Sequence, residues 1–151
     1  MTALGRDAAA MAYVIDRLAE AAATLRALPG ATGRPSQRMT AWPEIVRATW
    51  EAFGLARDTG YRSYRAPPAV PAAAAIDRAD EAFAWLVALD RRAAAIVWLR
   101  ACGFTWIKIA ERCQMTERWA RHLYLDAIGE IAKKTTSGSS GTLLSTHAMM
   151  E

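Results

Sequence analysis

Cysteine is scarce: Cys102 and Cys113 are the only two in 151 residues, too few for a disulfide framework and without a CxxC pair to hold a metal. A reducing, cytoplasmic setting is the expectation. Long apolar runs are missing as well. Val70 to Ile76 is among the longest, far short of the roughly 18 to 20 residues of a membrane helix. The N-terminus lacks the basic-then-apolar pattern of a secretory leader, so no membrane partner is expected. No segment alternates apolar and polar residues over the length of a strand. Catalytic signatures are absent too: there is no phosphate-binding glycine loop, no GxSxG elbow and no HExxH pair, and the acidic residues are spread over amphipathic faces. Cys102, Cys113, His122 and His147 have no zinc-ligand spacing. The expectation is therefore no enzyme, no metal and no cofactor.

What is present suits a globular chain of about one domain, with 53% hydrophobic and 23% charged residues. The apolar period is helical throughout, and the fold class expected is all-α. From Asp7 to Leu28, the residues Met11, Val14, Ile15, Leu18, Ala22, Leu25 and Leu28 recur at steps of three and four, and Pro29-Gly30 ends that helix. The same stripe approximates heptad spacing, so it reads either as core or as a seam between two copies of the chain. A Gly-, Pro-, Ser- and Arg-rich loop runs to Thr40. Trp42-Pro43 then opens a second helix, with Val46, Trp50 and Phe53 on one face, that stops near Gly54. Residues 1–55 thus read as an N-terminal helical hairpin.

Residues 56–71 lack a helical period and hold three prolines, which marks a linker. Its Arg57, Arg62 and Arg65, interleaved with Tyr61 and Tyr64, suit either a solvated loop or added phosphate and minor-groove contacts. Residues 72–134 read as a second helical domain. A helix from Ala72 to Ala88 buries Ile76, Phe83 and either Leu86 or Val87. Asp90 is placed to cap a helix over Arg91 to Ala101 carrying Ile96, Val97 and Leu99, and Gly103 ends it. Residues 135–151 begin with a Ser, Thr and Gly stretch and read as a flexible tail.

Charge is unevenly divided. Residues 1–90 carry ten Arg against ten acids, whereas residues 91–134 carry six Arg and three Lys against Glu111, Glu117, Asp126 and Glu130. A polyanion, if one is bound, should dock on this later segment. The same segment holds the most specific pattern in the chain. Thr105 is placed to cap a two-turn helix with Trp106, Ile109, Ala110 and Cys113 inward and Lys108, Glu111 and Arg112 outward. Gln114-Met115 makes a tight turn, and Thr116 caps a further helix with Ala120, Tyr124, Ala127 and Ile131 inward. Ala110 and Ala120 are small where two such helices cross, and Met115 fills the corner. Two short helices around a three- or four-residue turn are the helix-turn-helix unit, which places its second helix in the major groove of double-stranded DNA.

On that reading Glu117, Arg118, Arg121 and His122 are the base-facing candidates. A guanidinium donates two parallel hydrogen bonds to guanine, and Arg118 and Arg121 equally suit phosphates. Arg100, Thr105, Lys108, Arg112, Thr116, Lys133 and Lys134 are the phosphate-contact candidates. Trp106 reads as core; Trp119 reads as a core edge, a dimer contact or a sugar-phosphate contact. The plain alternative is a helical bundle whose basic residues form a solvated face.

From about Ala82 to Ala132 the chain resembles region four of bacterial sigma factors and the phage-associated helix-turn-helix proteins related to it. The features that carry the resemblance are Leu89-Asp90-Arg91-Arg92, Gly103-Phe104-Thr105 ahead of Ile109-Ala110, and the closing Ala127 to Ile131. The resemblance implies sequence-specific DNA binding and transcription regulation in a phage or mobile-element setting. It leaves open a small terminase subunit that selects viral DNA for packaging, with homo-oligomers and packaging proteins as partners, and a sigma-like protein that binds RNA polymerase. The chain departs from the family at Gln114, where glycine is usual, and at Ala120, where Val or Ile is. Either Gln114 is left-handed at some cost or the turn has another shape.

Overall fold

The computed structural model describes residues 3–28, 43–48 and 70–142, and all of its regular elements are helices. They are α1 (Ala3–Ala27), α2 (Ala73–Val87), α3 (Arg91–Ala101), α4 (Trp106–Cys113) and α5 (Glu117–Thr142), with a short helical segment over 44–48. The chain is all-α, as its periodicity requires. Trp50, Phe53 and nearly all of the expected linker lie outside the described residues.

The stripe on α1 is spent inside the molecule. Val14, Leu18, Ala21, Ala22 and Leu25 are at most 1% exposed. They share one buried cluster with Ala79, Ala82, Phe83 and Leu86 of α2, Val97 and Trp98 of α3, and Ala127, Ile128 and Ile131 of α5. Alanines on both α1 and α2 let the backbones approach closely, and α1 makes its widest contact with α2 and its next widest with α5. A single core therefore joins the two sides of residues 56–71, and the chain's own helices cover most of the α1 stripe, while Ile15 is 38% exposed. Val46 of the short segment is fully buried in the same cluster. On α2 it is Leu86 that turns inward, while Val87 is 69% exposed.

Polar contacts fix α1 in register. Arg17 Nη2 pairs with Glu81 at 2.6 Å, and Arg78 reaches Glu20 through Nε at 2.9 Å and Nη2 at 2.6 Å. Arg26 donates to the Cys102 carbonyl at 2.8 Å, which ties the end of α1 to the end of α3. The two hydrogen bonds from Arg78, both to Oε1, hold the Glu20 carboxyl below its ordinary value, against a smaller opposing effect of burial. A depressed carboxylate adds stability above its unfolded pKa and loses it as pH falls through the folded one. Glu20→Gln should accordingly flatten the loss of stability between about pH 5 and 3, read as urea midpoint against pH.

Two helices end in the same way. After α3, Gly103 N–H donates to Arg100 O at 3.0 Å and Phe104 N–H to Leu99 O at 3.1 Å; after α4, Gln114 N–H donates to Glu111 O at 3.2 Å and Met115 N–H to Ala110 O at 3.0 Å. Each is a Schellman turn, which needs one left-handed residue. Gly103 supplies it at φ 89°, and Gln114 does so at φ 53°, so the turn keeps its shape and the glutamine bears the strain. A Cβ at Gly103 would meet nothing within 4 Å, and the cost of adding one is purely conformational. Gly103→Ala should lower stability by about 1 kcal/mol and Gln114→Gly should raise it by up to about 1 kcal/mol, both measured as shifts in urea midpoint.

The expected tail needs correction. Helix α5 continues to Thr142, so residues 135–142 are helical; residues 143–151 lie outside the described residues. Thr135 donates to Ala132 O at 2.9 Å, Thr136 to Ala132 O at 2.8 Å and Ser137 to Lys133 O at 2.8 Å. The hydroxyls are thus satisfied by the preceding turn of the helix, and extending a formed helix costs little compared with starting one.

Candidate nucleic-acid interface

The basic segment forms a small second core at one end of the molecule. Ile96 and Leu99 of α3, Ile109 of α4 and Ala120 of α5 are at most 3% exposed. Trp106, Cys113, Met115 and Leu123 pack around them. Phe104 and Tyr124 pack against both clusters and bridge the two cores. The expected caps are in place: Asp90 accepts from Arg92 N–H at 3.1 Å, Thr105 from Lys108 N–H at 3.5 Å and Thr116 from Trp119 N–H at 3.3 Å. Three residues, 114–116, separate α4 from α5. Ala110 and Ala120 are 7% and 0% exposed where the helices meet, so a larger side chain at either position would push them apart.

The base-facing candidates do not stand alike. Arg118 is exposed and makes no ion pair among the described residues. Arg121 is held back: its guanidinium pairs with Glu117 at 3.4 Å and lies 5.6 Å from the Trp106 ring centroid. His122 lies 3.3 Å from Asp126, and its ring sits tilted at 41° to that of Trp119 with centroids 5.4 Å apart. Leu125 follows Arg118 by seven residues, two helical turns on the same face, and is 55% exposed. The one signal of Leu125 in the sequence is an apolar residue lying off the inward stripe.

The phosphate candidates also divide. Lys108 and Arg112 project from α4, the latter with its guanidinium 5.6 Å from the Phe104 ring centroid. The hydroxyl oxygens of Thr105 and Thr116 serve as caps, leaving their protons free to donate. Arg100 faces elsewhere: it donates to the Phe104 carbonyl at 3.0 Å, lies 4.9 Å from the Trp106 ring centroid and lines a cavity between α1, α3, α4 and α5. Lys133 stands about 22 Å along α5 from Arg118 at 1.5 Å per residue. Lys134 pairs with Glu130 at 2.6 Å. Neither belongs to the cluster around the turn. Trp106, read as core, is also the ring shared by two guanidiniums.

Burial pushes the Cys102 thiol up to about 12 and raises that of Cys113, which keeps both protonated and poorly nucleophilic. Among the described residues no three His, Cys, Asp or Glu side chains gather to hold a metal, and no helix is long and apolar enough to cross a membrane.

Fold and surface together define an all-α protein with a two-helix basic tip on a larger helical core. Residues 26–131 match the family described as Domain of unknown function (DUF6362), and the chain belongs to that family. The matched span begins near the end of α1, runs through residues 56–71 and closes within α5. No curated protein and no solved structure matches the chain.

Proposed function

We propose that the protein binds double-stranded DNA sequence-specifically, with the first half of α5 in the major groove, and that it regulates transcription. The observation that carries this reading is the tip itself: a capped helix, a three-residue turn and a second capped helix whose exposed face begins with the unpaired Arg118. A helix about 10 to 12 Å across fits a major groove about 12 Å wide. In that pose Arg118 reaches a guanine edge, Leu125 suits a thymine methyl, and Lys108, Arg112, Thr105 and Thr116 lie toward the flanking phosphates. Arg121 joins the base contacts by exchanging Glu117 for DNA, and His122 lies beside Arg118 on the groove-facing side. A phage or mobile-element setting rests on the resemblance to sigma region four.

The test is selection of bound fragments from a pool of genomic and phage DNA at about 0.15 M salt, with an Arg118→Ala, Arg121→Ala double variant alongside. Enrichment of a short motif near promoters, lost in the variant, is the expected result. Enrichment at a packaging site would assign the DNA binding to packaging instead. Absence of enrichment, together with capture of polymerase subunits, would overturn the DNA reading.

A further inference from the structure

Between α1, α3, α4 and α5 lies an open cavity of about 570 Å³, walled by Ile15, Leu18 and Ala19 of α1, Val97 and Arg100 of α3, Trp106 of α4 and Tyr124 of α5. That size suits a small organic ligand. We infer that this cavity binds a small amphipathic carboxylate, its anionic end taken by Arg100 and Tyr124 and its apolar body laid against the exposed Ile15 and Ala19 of α1.

Two donors converge in walls that are otherwise mostly apolar. The Arg100 guanidinium uses one N–H on the Phe104 carbonyl and faces the Trp106 ring, and no carboxylate pairs with it among the described residues. Its remaining N–H groups are available. The Tyr124 hydroxyl has no hydrogen-bond partner among the described residues. Tyr124 is half-buried, which raises its pKa and keeps the proton on oxygen, while Arg100 lies close enough to act on it in the opposite sense. A planar monoanion satisfies both donors and neutralises the one charge in the lining. An inorganic anion of higher charge would leave the apolar walls unfilled and its own charge uncompensated.

The Trp106 ring that carries Arg100 also carries Arg121 of α5. A ligand that draws Arg100 toward its carboxylate therefore alters what holds Arg121. None of the residues lining the cavity is a base-facing candidate, so binding to it is tested without DNA.

The experiment is calorimetric titration of the full chain with octanoate and indole-3-acetate, beside octanamide and indole-3-acetamide as uncharged counterparts. At least one acid should saturate a single site and bind at least about tenfold more tightly than its amide; Arg100→Met should weaken it by at least about tenfold and Tyr124→Phe by less. The acid-to-amide comparison on the unaltered protein stands whether or not the Arg100 variant folds. No saturable binding of either acid up to about 10 mM, or equal binding of acid and amide, would overturn the inference.

Discussion

Leu18→Ala is expected to destabilise the whole molecule by about 2 to 5 kcal/mol in one cooperative transition. Leu18 is 1% exposed and belongs to the cluster that α1 shares with α2, α3 and α5. Removing three buried carbons there leaves a cavity lined by several helices, and rigid neighbours cannot all collapse into it. A separate N-terminal unit would behave differently: the mutation would melt α1 early and leave the remainder at its original midpoint. Urea unfolding followed by circular dichroism and by tryptophan fluorescence distinguishes the two, because a single core requires the probes to shift together.

Arg118→Ala should weaken binding to the selected DNA site by about 5- to 150-fold, the equivalent of about 1 to 3 kcal/mol for a lost bidentate base contact. Binding to random duplex should change far less, so most of the loss is discrimination. Lys108→Ala is its complement, lowering affinity for both duplexes alike and making the salt dependence shallower by about one unit of slope. Arg121 should behave between them, since DNA must first compete with Glu117 and the Trp106 ring. Equal losses on selected and random DNA for Arg118→Ala would reassign that side chain to phosphates.

Local signals were well written in the chain. Asp90, Thr105 and Thr116 are short polar residues just ahead of apolar-periodic runs, and each caps a helix. Gly103 ends α3 because only a left-handed residue closes that turn, and the same geometry falls on Gln114. Partnership was much less legible. The period of α1 shows that it has an apolar stripe but not what covers it, and a core stripe and a dimer seam look alike in one dimension. Residues 135–142 carry loop composition, yet Thr135, Thr136 and Ser137 bond within the helix. Arg100 and Arg121 are 21 positions apart in the sequence. Their convergence on Trp106 depends on how α3, α4 and α5 pack, and no spacing rule reports it.

The position of α5 in the groove is tested most directly by mapping backbone amide shifts of the ¹⁵N-labelled full chain on addition of a short duplex carrying the selected motif. Perturbations should concentrate at Thr105 to Lys108 and from Thr116 to Leu125, with α1 and α2 little changed. Perturbations centred on α1 or α2, with the start of α5 unmoved, would contradict the placement of the recognition surface.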